Sequence, residues 1–216
     1  CVHNIVDDYH SRAAMAAPVV DPWLGNKDAP LIVAAGNLVP WKGFDDLIAA
    51  MGRVVSQTPA RLLILGEGPM RDELSELIAK HRLQEVVRLP GNVANPLAYF
   101  SRANVFVLCS HVEGLPNVLV EAMLCGCTPV ATNCPTGPRE ILQDGKHGYL
   151  VPMRDSVELA EGILRALQNP VPASKLQTAI LPFREDTVIA RHYELLGINT
   201  APQILRKPMQ SYATGE

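Results

Sequence analysis

The sequence predicts an α/β fold of the Rossmann-like kind, a doubly wound parallel sheet, and three observations carry that expectation. Short apolar runs of strand length alternate with amphipathic stretches of helical length. The runs are apolar on both faces, as strands of a parallel sheet covered by helices on each side must be. Glycine-bearing turns follow the first two runs, where the carboxyl ends of such strands leave a crevice for ligands.

Taken in order, strands are expected at residues 31–36, 61–66, 86–89, 104–109, 128–131 and 149–151. Helices are expected between and after them at 43–57, 70–81, 96–102, 116–124, 139–142 and 155–167. Right-handed crossovers between parallel strands then wind the sheet in both directions from its middle. The prolines of residues 168–182 read as a break in this rhythm, followed by one last helix over 183–196. The expected organisation is a linker remnant and lead-in over 1–30, a Rossmann-like domain over 31–170, a helical segment over 171–198 and a loose polar tail over 199–216.

The bulk composition narrows the function classes. A chain of 216 residues with 48% apolar residues suits one α/β domain with a full core. A net charge of −3 without a Lys/Arg-rich run leaves no footprint for nucleic acid. The longest apolar runs fall far short of the roughly 20 residues of a membrane span. The amino terminus has no signal-peptide pattern, and its lack of Met reads as a fragment that begins mid-protein. Five cysteines, mostly in apolar surroundings, point to buried thiols in a cytoplasmic protein. The Cys125-x-Cys127 pair has no second pair or suitably spaced His to complete a metal site.

Three segments could carry chemistry. The turn from Gly36 and Asn37 through Trp41, Lys42 and Gly43 is neither a Walker loop nor G-x-G-x-x-G. It nevertheless sets a lysine and backbone amides at a strand's carboxyl end, where a phosphate would bind. From this loop alone, a phosphate ligand and a solvated turn lysine are both open. The second turn, Gly66-Glu67-Gly68-Pro69, lets a ligand or backbone approach closely, although Gly-Pro turns are common punctuation. The third segment is the most informative: Glu113 follows an apolar strand, and Glu121 sits within the next helix. Between them Gly114, Leu115, Pro116, Asn117, Val118 and Leu119 form a loop and a helix start, with Pro116 suited to the first turn. Free amides at such a start attract a diphosphate, and each carboxylate accepts from two neighbouring hydroxyls. A loop cap and a surface helix residue would look the same by spacing alone. His111 reads as a solvated loop histidine; Asp45, Asp46, Arg139 and Glu140 read as charges serving nearby helix starts.

Together these segments resemble the C-terminal domain of glycosyltransferase family 4, whose members have two Rossmann-like domains facing a cleft, the GT-B fold. The resemblance covers roughly residues 2–196. It runs from His3-Asn4-Ile5-Val6-Asp7, like the family's interdomain linker, through the two glycine turns. It continues through the E-x7-E signature Glu113 to Glu121, Cys134 to Ile141, and Gly145 to Val151.

The resemblance implies a retaining, metal-independent hexosyltransferase with no cofactor, acting on a nucleoside diphosphate sugar. Lys42, with the Val118 and Leu119 amides, would neutralise the diphosphate, and Glu121 would accept the ribose hydroxyls. Glu113, helped by the backbone of residues 114–117, would hold the donor sugar. Gly36 and Asn37 would lie in the phosphate loop and Gly68 in the second turn of the donor site, and Arg88 and Leu89 would meet the base mainly through backbone. Asn37 stands where the family usually sets an arginine. The resemblance further implies a missing N-terminal domain that carries a glycan or lipid-linked glycan acceptor. This chain alone would then be inactive, with an exposed apolar face that favours weak self-association, and the enzyme would lie in the cytoplasm or at the cytoplasmic membrane face. A non-catalytic nucleotide-sugar-binding or scaffolding domain, and an epimerase or phosphorylase on the same fold, are the rival readings. A plain dinucleotide-binding protein fits poorly, because no G-x-G-x-x-G opens the first helix.

Overall fold

The computed structural model describes residues 2–25 and 28–198. Six strands form its centre: β1 Leu31–Ala35, β2 Arg61–Leu65, β3 Val87–Gly91, β4 Val105–Leu108, β5 Thr128–Thr132 and β6 Tyr149–Val151. All pair in parallel, in the order β3-β2-β1-β4-β5-β6. The order reverses between β1 and β4, so the doubly wound prediction holds and the crevice opens there.

Side chains of a strand alternate between faces, and both faces are apolar here for that reason. Ile32 and Ala34 point into a core with α3 Phe44–Gln57, α4 Arg71–Lys80 and α8 Ser156–Gln168. Leu31 and Val33 point into the opposite core, with α5 Pro96–Phe100, α6 Asn117–Leu124, α7 Pro138–Ile141 and α9 Ala173–Ile180. A leucine with no exposure, such as Leu47 or Leu63, contributes about 1.5–3 kcal/mol by burial.

Helix starts follow local chemistry. The Asn95 side chain accepts from the Ala98 amide at 3.3 Å, and Pro96 begins α5. Asp155 accepts from the amides of Val157 and Glu158, both at 3.0 Å, at the start of α8.

Several elements depart from expectation. β3 runs through Pro90 to Gly91, further than residues 86–89, because an edge strand tolerates a proline that a central strand cannot. The break expected over 168–182 contains α9: Pro172 caps it, and Pro182 follows in a 3-10 turn, Leu181–Phe183. The prolines bracket the helix instead of interrupting it, and Leu176, Ala179 and Ile180 bury one face of it. The last helix, α10 Glu185–Leu195, starts two residues later than expected, after that turn.

The lead-in holds two unexpected helices, α1 Tyr9–Ala16 and α2 Pro22–Gly25. α1 has no buried residue and therefore no apolar periodicity to read; a capping box between Asp8 and Ser11 starts it. Before it, the Val6 and Asp7 amides donate to Phe183 O at 3.0 and 3.2 Å, and Arg12 grips the Asp7 carboxylate with two bonds of 2.7 Å. The chain's beginning is thus tied to its final helical segment. Residues 199–216, read as a loose tail, and Cys1 lie outside the described residues. No helix among the described residues is long and apolar enough to cross a membrane.

Candidate functional site

The loop after β1 is shaped by its neighbours. Leu38 N donates to Glu67 O at 2.9 Å, and Met70 N donates back to Leu38 O at 3.0 Å. Gly68 lies so close that a Cβ there would stand 2.5 Å from Leu38 O, so only glycine permits this contact. The loop then makes a 3-10 turn, Pro40–Lys42, and enters α3 through Gly43 at φ +65°. A Cβ on Gly43 would meet Cys109 O at 2.2 Å, and so this glycine lets the loop after β1 lie against the loop after β4.

Across that contact the two expected site residues meet. Lys42 Nζ donates to Glu113 Oε1 at 2.6 Å, with side chains 20% and 11% exposed. Ser110 Oγ donates to the same oxygen at 2.6 Å. Oε2 of Glu113 has no partner among the described residues. The glutamate's own carbonyl accepts from Thr136 Oγ1, which fixes the loop from the side of β5. Glu113 is therefore a restrained carboxylate with one oxygen engaged and one available.

Helix α6 begins at Asn117, capped only by the backbone of Pro116. The Leu119 amide donates to Pro116 O at 3.0 Å, whereas those of Asn117 and Val118 have no acceptor among the described residues. These two amides, not Val118 and Leu119 as expected, are the donors free for an anion. The Asn117 side chain accepts from Asn4 Nδ2 at 3.1 Å, and His3 Nε2 lies 3.2 Å from Glu140 Oε1, so the lead-in reaches the site's rim. Glu121, a turn into α6, is half-buried and has no hydrogen-bond or ionic partner among the described residues. Burial alone raises its carboxyl above the ordinary glutamate value.

The remaining expected residues fall in different places. Gly36 and Asn37 line a cavity of about 170 Å³ at the carboxyl ends of β1 to β3, with Gly66, Asn92 and Val93. Asn37 is exposed. Gly114 and Leu115 lie on the Glu113 loop. The Arg88 side chain is not in the crevice: residue 88 pairs with Leu63 midway along the edge strand, and its guanidinium lies 3.3 Å from Asp21 Oδ1 and over the Trp23 ring. The Leu89 carbonyl is occupied by Arg71, which also grips Glu67. Asn92 and Val93, which the sequence did not single out, line the cavity at the end of this strand instead. Counting to the end of β3 would have found them, but the proline in this strand concealed that end.

His111 is also corrected. It is a mostly buried residue whose Nε2 lies 2.9 Å from Asp46 Oδ2, so Asp46 serves more than its helix start. Cys109, Cys125 and Cys127 offer no nucleophile. Burial drives the thiols of Cys109 and Cys127 upward and that of Cys125 to about 12, so all three stay protonated at neutral pH. A roomier cavity of about 390 Å³ lies at the amino ends of the strands, around Pro30, Asn104 and Thr128, and has no titratable lining residue.

The family described as Glycosyl transferases group 1 matches residues 21–180, which contain both strand–helix halves and the crevice. The chain belongs to the group 1 glycosyl transferases. This group 1 member is 36% identical over 138 residues to the N-acetylgalactosamine-N,N'-diacetylbacillosaminyl-diphospho-undecaprenol 4-alpha-N-acetylgalactosaminyltransferase of Campylobacter jejuni, covering 64% of this chain and 37% of that protein. It is 32% identical over 164 residues to the lipopolysaccharide core biosynthesis glycosyltransferase LpsE of Rhizobium meliloti, covering 76% and 46%. Among solved structures, HepE of Anabaena in complex with UDP superposes with a TM-score of 0.74 at 27% identity, over 81% of this chain and 50% of HepE. The chain thus spans half or less of the length of these relatives, and it has the architecture of one half of a GT-B glycosyltransferase.

Proposed function

We propose that the chain is the donor-binding half of a family 4 glycosyltransferase. It would move a hexose-type sugar from a nucleoside diphosphate sugar to a hydroxyl of a glycan or lipid-linked glycan, with retained configuration and without a metal ion. The carrying observation is the meeting, in one switch-point crevice, of Lys42, Glu113 and the free amides that open α6, with an unpartnered carboxylate, Glu121, one turn further on.

Each group matches a part of such a donor. The Lys42 ammonium and the amides of Asn117 and Val118 neutralise the diphosphate, an electrostatic stabilisation of the leaving group that a divalent cation would otherwise supply. Oε2 of Glu113 accepts from sugar hydroxyls near the reacting carbon. Glu121 accepts from the ribose diol, which gives its unmatched charge two donors. The cavity beside Asn92 and Val93 takes the base. In the reaction the bond from the sugar's C1 to the phosphate oxygen breaks through an oxocarbenium-like state. The acceptor oxygen bonds to C1 on the same face, and its proton passes to the departing phosphate.

HepE, crystallised with UDP and with UDP and glucose, supports uridine diphosphate sugars as the first donors to test. The undecaprenol-linked substrate in the name of the C. jejuni relative supports a lipid-linked acceptor, held by a second domain across the cleft. Calorimetric titration with UDP, GDP, ADP and their sugar conjugates, with and without magnesium, tests the reading. Tight, magnesium-independent binding of one diphosphate is expected; binding that requires magnesium, or none at all, overturns it. Exposed Asn37 favours one rival, a binding or scaffolding domain without catalysis. Sugar transfer on addition of an acceptor-binding half removes that rival.

A further inference from the structure

We propose that His111 is a positioning residue for Lys42: with Asp46 it forms a clasp that holds the lysine's turn against the glutamate's loop. The proposal rests on the donor-site reading and adds to it a residue that need not touch the donor.

The need for a clasp follows from the turn itself. Lys42 ends a three-residue 3-10 turn held internally by Lys42 N to Val39 O at 3.0 Å and Gly43 N to Pro40 O at 3.3 Å. Such turns have poor hydrogen-bond geometry and little stability of their own. Yet Lys42 is the only Lys or Arg in the five loops that follow β1 to β5. Charge at the crevice depends on where this one ammonium stands, and an electrostatic contact loses its value when its carrier wanders.

Besides the Lys42–Glu113 pair itself, three ties come from the loop after β4, and His111 makes two of them. Its amide donates to Trp41 O at 2.8 Å, on the near side of Lys42. Its Nε2 lies 2.9 Å from Asp46 Oδ2, in the first turn of α3 beyond Lys42. The third tie is Cys109 Sγ to Lys42 O at 3.1 Å. The imidazole therefore straddles Gly43, where a Cβ would stand 3.0 Å from Nε2. At 14% and 22% side-chain exposure, the His111–Asp46 contact is shielded enough to persist in water. The neutral Nε2–H tautomer and the imidazolium both donate in the same direction, so the clasp does not depend on which is present.

The test has two arms. Amide hydrogen exchange of residues 39–44 in the free chain reads the turn without any ligand. His111→Ala and Asp46→Ala should each speed exchange there about tenfold, with the double variant no faster than either single one. His111→Gln, whose amide nitrogen takes the place of Nε2, should restore protection. Titration with UDP, GDP and ADP against their nucleosides forms the second arm. His111→Ala should weaken the diphosphate about tenfold and leave the nucleoside unchanged, with rescue by His111→Gln. Unchanged exchange at 39–44 overturns the proposal, as does equal weakening of diphosphate and nucleoside, which would mark a merely structural residue. If the unsubstituted chain binds no diphosphate, the donor-site reading fails, and the exchange arm alone decides the clasp.

Discussion

Glu113 and Glu121 share one helix–loop segment, yet their surroundings are opposite. Glu113 shares one oxygen between Lys42 and Ser110 and has its loop pinned by Thr136. Glu121 is half-buried with no partner among the described residues, and its carboxyl is raised by burial. A protein folded only for stability would leave the second carboxylate in water or give it a cation. The difference teaches that the two acids do different work. On the proposed reading Glu113 both sets the site's geometry through one oxygen and offers the other to the sugar, whereas Glu121 keeps its whole carboxylate for the ribose.

Substitution at Lys42 should show the largest effect, because it strikes both framework and site. Lys42→Ala should weaken nucleoside diphosphate binding by about 1.5–3 kcal/mol, the worth of a hydrogen bond to a charged group. Nucleoside binding should be unchanged, and calorimetry with the two ligands checks the split. The variant also leaves Glu113 without its counter-charge, at about 1–3 kcal/mol of folding stability. Pairing it with Glu113→Gln should return most of that stability and none of the affinity, as urea denaturation would reveal.

Gly43→Ala acts on the same loop contact from the backbone. A residue other than glycine at φ +65° costs about 1–3 kcal/mol, and its Cβ would press on Cys109 O. Lowered stability should accompany weakened diphosphate binding, whereas Gly126→Ala, also at positive φ but in open space, should lose stability only.

Glu121 should behave in the reverse way. Glu121→Gln should weaken donor binding by about 1–3 kcal/mol while raising the melting temperature, since it removes a charge that burial disfavours. The pH dependence follows from the same raised value. On the proposed reading Glu121 accepts ribose hydroxyls as a carboxylate, so its contribution to binding is present above its pKa and lost as pH falls through it. That loss should begin above the ordinary glutamate range and vanish in Glu121→Gln. Its effect on folding has the opposite sign, because ionised Glu121 destabilises the fold above its raised pKa and ceases to do so once protonated. Melting curves at several pH values, compared between the two chains, measure this. A melting temperature lowered by Glu121→Gln would erase the contrast with Glu113.

How much of this was legible beforehand depends on where the information sat. The strands could be read because a sheet covered on both faces demands apolar residues at every position, as in Leu31 to Ala34. The helices with one apolar face, α3 and α8, could be read by period. Helix α1 could not, because it buries nothing, and α9 was masked by the prolines that bracket it. In the site, type and position made Glu113 and Lys42 candidates only, and the family resemblance gave them their roles. Their ion pair could not be read, because it joins residues 71 apart through strand order alone. The His111–Asp46 contact was hidden for the same reason, at a separation of 65. The place of the Arg88 side chain, beside Asp21 and Trp23, could not be read either, since it follows from the register of a strand that extends past it.

The smallest expected effect tests how complete the framework side is. Asn37 is exposed at the mouth of the crevice, where the resembled family sets an arginine beside the lysine. Asn37→Arg should strengthen diphosphate binding by about 1 kcal/mol, modest because an exposed guanidinium gives up hydration and side-chain freedom to form its fork. The gain should shrink as salt is raised from low to physiological concentration, since screening acts most on exposed charges. A salt-sensitive gain would place the phosphates between residue 37 and Lys42, with the lysine carrying alone a task that two cations share elsewhere. No gain at any salt concentration would move the diphosphate toward the amides of Asn117 and Val118. The charge of Lys42 would then serve mainly to hold Glu113 in place, and the framework would reach further into the site than the contrast between the two glutamates suggests.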